Sequence, residues 1–293
     1  MAKWTDDDIL ALDRKYAEQG LPLHQRPFRA AMEIMKVEIE SAFYDGSDFP
    51  QIERDYARLI PEVDSSWPGM GIGLVGSVDR VRKVTLPVVF GRIALQPWEA
   101  LGFKSLEEWW EWCRKDRQIA ADSAYVFADL HDFRHGLDEL RGASAEAATL
   151  WRMASSNLED LGALLPSAFS VDTAIQPVCM TAELSLKALL VHEGVDASSF
   201  KGKKGHDLAG LTQRASSARP HRDDARIAAV IHTLPGYVAS RYSPAGLTRL
   251  QVVRLALGVQ FVAASTVRRL TNTDLAAQME ADEWPGPRAA FVC

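Results

Sequence analysis

The sequence predicts an all-α protein: an up-and-down helical bundle preceded by a mostly helical N-terminal region. Three observations carry this. Apolar residues recur at intervals of three and four over most of the chain. Helix-start signals stand in front of those runs. In the second half the connections between long runs are short, as antiparallel neighbours require. Composition agrees, because 47% apolar and 25% charged residues in a chain of 293 are too apolar for disorder and too mixed for a fibrous repeat.

Taken in order, residues 6–19 form the first predicted helix. Thr5 and Asp8 make a capping box, and Trp4 and Ile9 a hydrophobic staple. Helices follow at 26–43, with Pro27 in its first turn, and at 51–59. Residues 84–95 are rich in β-branched side chains but broken by Pro87 and Gly91; the two readings are a short strand pair and an irregular buried segment, and the irregular one is expected. Next come helices at 105–117, capped by Ser105 with Glu108 before Trp109, Trp110 and Trp112, and at 119–140. The second half predicts helices at 145–165, 172–193, 207–217, 223–240 and 244–270. The last carries Leu250, Val253, Leu257, Phe261, Ala264 and Val267 as a stripe, with Ser243 and Pro244 as its start.

Charge divides unevenly. Residues 1–144 carry 18 basic and 25 acidic side chains, and the remainder 15 and 14. The step coincides with small residues near 141–144, so the expected division is a region 1–141, a bundle 145–272 and a loose tail 273–293 around Trp284. A net charge of −6 excludes a generic polyanion binder, yet residues 201–226 hold seven basic and three acidic side chains, a local place for phosphate. The three cysteines form no Cys-x-x-Cys pair and the first residues are acidic, so the chain is expected to be reduced and cytoplasmic. The apolar stretch from Leu255 to Val267 is too short to span a bilayer, so no membrane is expected.

Several motifs invite chemistry. The run from Gly69 to Gly76 contains G-x-G-x-x-G, but no strand signal precedes it and no Lys-Ser or Lys-Thr follows, so a linker or close-packing loop is expected. His131 and His135 are four apart with Asp138 and Glu139 one turn on. That spacing can serve a metal, but without the Glu of the zinc-protease pattern a solvated polar face is expected, with no metal and no cofactor. The three tryptophans at 109–112 are expected in a core rather than as a base-stacking platform. No nucleophile elbow or Walker sequence is present.

Beyond 145 the chain reads ELSLKALL at 183–190, Gly194, then Lys201, Lys203, Lys204, His206-Asp207-Leu208, Leu211, and later Arg241-Tyr242 before a long helix. This order resembles the HEPN domain family, small helical bundles associated with nucleotide or RNA handling, over about residues 145–272. The resemblance implies a nucleotide or RNA partner, a homodimer paired through long helices, and a prokaryotic defence or toxin–antitoxin setting. The N-terminal region would then contact a partner protein. Many members are metal-independent endoribonucleases with an Arg and a His that have four to six residues between them. Here Arg214 with His221 and Arg226 with His232 have that spacing, but 23 arginines and seven histidines supply such pairs by chance, and no His follows Arg241. Pro177, inside the helix carrying Glu183, departs from the pattern and should kink or delay it. The expectation is therefore non-catalytic binding of phosphate by Lys203, Lys204, His206 and Arg241. The first alternative is a ribonuclease using His206, Arg226, His232 and Arg241. The second is an interaction protein without a nucleic-acid ligand, presenting the tryptophan region.

Overall fold

The computed structural model describes residues 4–36, 48–61, 69–87, 96–140, 142–236 and 245–289, without the side chains of Lys203 and Lys204. It is mostly helical, with twelve α-helices and one two-stranded sheet among the described residues. The chain divides into two compact units, Met1–Pro68 and Gly69–Cys293.

The first unit holds α1 (Asp6–Glu18), α2 (Arg26–Met35) and α3 (Phe49–Leu59). The Thr5–Asp8 capping box forms, with Asp8 N donating to Thr5 Oγ1 at 3.2 Å and Thr5 N to Asp8 Oδ2 at 2.8 Å. Trp4 joins Ile9 against a core of Tyr16, Ala30, Ala31, Ile52 and Tyr56, and Pro27 stands in the first turn of α2. The continuation expected to residue 43 lies outside the described residues.

In the second unit β1 (Gly71–Ser77) pairs antiparallel with β2 (Arg80–Leu86), in register from Gly71 opposite Leu86 to Ser77 opposite Arg80. Both sequence expectations for this region are corrected. The glycine run is a strand rather than a loop, and residues 84–86 are its partner rather than irregular; 88–95 lie outside the described residues. Glycine is required because two helices press on the strand. A Cβ at Gly73 would lie 2.6 Å from Gln260 Oε1 and 2.8 Å from Leu130, and one at Gly76 2.8 Å from Leu257. A strand buried this way presents no phosphate loop.

Helices α4 (Pro97–Ala100), α5 (Leu106–Trp112), α6 (Arg117–Glu139), α7 (Ala145–Leu164), α8 (Ile175–His192), α9 (Leu208–Ala218), α10 (Asp224–Thr233), α11 (Arg249–Arg268) and α12 (Leu275–Ala281) follow. Ser105 Oγ accepts from Glu108 N, but the Glu108 carboxylate turns to Lys104 N, so the expected box closes one residue early. α8 packs along α7, and α6 and α8 pack on α11. Pro177 falls in the first turn of α8, after a 3-10 turn Asp172–Ala174, where its missing N–H costs no helix hydrogen bond. It delays the helix, and Gly194, at φ +87°, ends it. α11 starts not at Ser243 and Pro244, which lie outside the described residues, but from a Thr248–Gln251 capping box. Nor is it a striped helix: Val252, Val259, Phe261 and Ala263 are all fully enclosed, so α11 is central. α11 and residues Asp172–His192 have the length and hydropathy of a membrane span, but 78% of each apolar window is buried within this fold.

The break near 141–144 separates α6 from α7 inside one packed unit. Nor is the tail loose: Ala276 is buried, Trp284 meets Trp109 edge to face, and Arg288 is 8% exposed. Trp109 is buried and donates to Ser123 Oγ at 3.1 Å, while Trp110 and Trp112 are half-buried against the same cluster. Trp109 is core, as expected, and Trp110 and Trp112 pack against it while staying partly exposed.

Candidate functional site

Glu183 and Lys187 stand one turn apart on α8, and the chain that follows brings His206 back to them. Glu183 is buried and both its oxygens are engaged. Oε1 accepts from Lys187 Nζ at 2.6 Å and Oε2 from His206 Nδ1 at 3.0 Å. A carboxylate only accepts, so Nδ1 is the donor and the imidazole is held in one orientation. The return is made by a 3-10 turn, Lys203–His206, entered through Gly202 at φ +73°. Gly205 allows its close approach, because a Cβ there would lie 1.7 Å from the Phe200 carbonyl oxygen. The buried Phe200 ring faces two cations, Lys187 at 5.8 Å and Arg214 at 5.2 Å. Asp207 caps α9, its Oδ1 accepting from Gly210 N at 3.1 Å.

The His206 ring, 43% exposed, opens on a groove of about 550 Å³ between α9 and α10. Thr212, Gln213, Ser216 and His232 line the same groove. Arg241 and the side chains of Lys203 and Lys204 lie outside the described residues. Arg226 faces elsewhere, with Nη1 3.0 Å from Glu280 Oε1 and Nη2 donating to the Arg288 carbonyl at 3.1 Å. Arg222 pairs with Asp274 and Glu280, and Arg219 Nε donates to the Arg269 carbonyl. The positive segment 201–226 is therefore not one basic face: four of its arginines are committed locally, Arg214 on Phe200 among them. The spacing pair Arg214 and His221 is likewise split, since His221 Nδ1 lies 3.4 Å from Asp223 Oδ2.

A second concavity was missed by the solvated-face reading of α6. His131 and His135 line an apolar pocket of about 500 Å³, with ring centroids 4.5 Å apart. Asp138 and Glu139 are exposed, and Glu139 accepts from Asn272 N at 3.1 Å on the far side. Beneath the pair, Asp132 is fully enclosed and accepts from His131 Nδ1 at 3.0 Å, Arg268 Nε at 2.7 Å and Leu275 N at 2.8 Å. Burial alone would raise its carboxyl, but the His131 hydrogen bond, the Arg268 charge and the backbone donor hold it below the usual range. For His135, burial and then the neighbouring His131 push the imidazole down. Arg268 is wholly buried and also donates to Asp129 Oδ1 at 2.6 Å, which in turn meets Arg288 at 2.8 Å. In the sequence, Arg268 reads only as the flank of an apolar run. The available signal was the pair Asp129 and Asp132 inside an otherwise apolar stretch of α6. Among the described residues no group of three or more His, Cys, Asp or Glu side chains is placed to hold a metal ion.

Comparison with protein-family models, with curated proteins and with solved structures gives no match.

Proposed function

We propose that this chain is a HEPN-like nucleotide- or RNA-binding protein that holds a phosphate group at the His206 end of the α9–α10 groove and does not cleave its ligand. The observation that carries this reading is the Glu183 bridge. It joins the ELSLK and GHD stretches, the two parts of the resemblance, at the mouth of a concave surface. Glu183 fixes the imidazole, and the Lys201–Lys204 loop beside it is glycine-spaced, which lets a phosphate approach backbone N–H groups closely. Arg241 belongs to the same proposal through the resemblance. A cytoplasmic setting and a role in defence or a toxin–antitoxin pair are parts of the reading; the free, buried Cys113 and Cys179 suit a reducing compartment. A homodimer would pair through the outer face of α7, where Met153 is exposed, since α11 is enclosed in its own chain.

The test is fluorescence anisotropy of labelled single-stranded RNA and of labelled ATP at low salt. Binding is expected to weaken with rising salt. His206→Ala and the double variant Lys203→Ala/Lys204→Ala should each lose about tenfold or more in affinity, the scale of one or two charge-assisted hydrogen bonds. Absence of binding to either probe, or binding indifferent to these variants, rejects the reading.

A metal-independent ribonuclease is the second reading, favoured by one observation: His206 and His232 line a single groove, the pairing of proton donor and acceptor that 2′-hydroxyl attack needs. Arg226 is bound to Glu280 and is no part of it. Cleavage of a mixed RNA pool in EDTA, abolished in His206→Ala and His232→Ala, would establish this reading over the first.

A further inference from the structure

We propose that the pocket around His131 and His135 is a binding site for a small neutral aromatic molecule carrying a hydroxyl or N–H donor. The inference is independent of the phosphate groove. The cavity, about 500 Å³, is of the size that encloses such ligands, and its walls include Leu86, Phe127, Met279 and Trp284. Two of those walls, Phe127 and Trp284, are aromatic, which suits a planar ring. The polar groups are few and specific. His131 Nδ1 donates to the Asp132 carboxylate, which leaves its other ring nitrogen, Nε2, to meet a ligand. His135 Nε2 is buried and meets no hydrogen-bond partner in the protein. A buried nitrogen of this kind is costly unless something satisfies it; the atom itself is closed off, but its ring lines the cavity, and a small turn of the ring would bring Nε2 to a ligand there.

The charge around the pocket selects among ligands. Asp132, Asp138 and Glu139 surround His135 on its own helix, while α12 contributes the apolar Leu275 and Met279. The Asp132 charge is answered by Arg268 below, which does not line the cavity. An anionic ligand therefore meets no cation in the pocket wall and acidic groups nearby. A neutral donor meets imidazole nitrogen and loses no ionic hydration on entering.

The test uses the full chain and three probes sharing one ring system: 2-naphthol, naphthalene and 2-naphthoate. Each is titrated by calorimetry, and the histidine side-chain ¹⁵N resonances are followed in parallel. 2-Naphthol is expected to bind at least about tenfold more tightly than the other two, with shifts at His131 and His135. His135→Leu, which keeps the bulk and removes the nitrogens, is expected to lower 2-naphthol affinity about tenfold while leaving naphthalene unchanged. Equal binding of naphthalene, tighter binding of 2-naphthoate, shifts confined to other histidines, or no binding up to the solubility limit would each overturn the proposal. So would stoichiometric Zn²⁺ binding read at the two imidazoles, which would make the pair a metal site. If His135→Leu does not fold, the comparison of probes on the unchanged chain still decides.

Discussion

Arg268 ends α11 with its guanidinium wholly buried, held by Asp129 and Asp132 from α6. Removing one partner of such a cluster strands the other charges, so Arg268→Ala is expected to cost about 3–5 kcal/mol in urea unfolding near neutral pH. The cost should shrink toward pH 3. The Asp132 and Asp223 carboxyls are held below their ordinary values in the folded chain, so the stability they contribute is complete above about pH 4 and is lost as the pH falls further. Asp122, raised by burial, works in the opposite direction and softens that loss. His135 adds an earlier step. Its lowered value means the unfolded chain takes up the proton first, so stability declines as the pH falls below about 6.5. Melting temperatures from pH 8 to pH 3 should resolve the two steps, and His135→Leu should remove the first. At this scale the sequence makes Glu183 and Lys187 legible as a pair, because i,i+4 neighbours on a helix must meet. It says nothing of His206 as their third member, since the meeting depends on how a loop folds back.

Helix starts were the most legible elements. The caps at Thr5, Ser105, Ser144 and Asp207 form as local side-chain to backbone bonds within three residues. Such bonds need no tertiary partner, so a short window contains all that determines them. The glycine run was illegible for the opposite reason. A strand with glycine at Gly71, Gly73 and Gly76 reads as a loop, and its identity comes from β2 and from Gln260 on α11. Gln260 Oε1 accepts from Leu74 N at 3.0 Å and its Nε2 donates to the Val126 carbonyl at 2.9 Å, tying β1 to α6 and α11. Gly73→Ala is expected to destabilise the protein by about 1–3 kcal/mol, measured by urea unfolding, because its methyl would intrude on Gln260 and Leu130. Wild-type stability in that variant would mean the strand has room to yield.

On the scale of the whole molecule, the charge step near 141–144 marks composition rather than architecture. The compact units divide at Pro68 and Gly69, and the last described residues close over α6. Truncation after Asp282 removes Trp284 from Trp109 and Arg288 from Asp129, and is expected to lower the melting temperature and to increase dye binding by exposed apolar surface. An unchanged melt would show the tail to be dispensable. By itself the sequence determined the helical class, most helix starts and the residue types of both candidate sites, because these rest on spacing and capping within a turn or two of chain. The tertiary structure alone decided that the glycine run is a strand, that Arg268 is interior, that His206 completes the Glu183 bridge, and that His131 and His135 face a cavity. The physical reason is separation. Gln260 and Leu74 are 186 positions apart, and Arg268 and Asp132 136 apart. Contacts at that distance follow from how preformed helices pack together, and no local pattern of the chain encodes them.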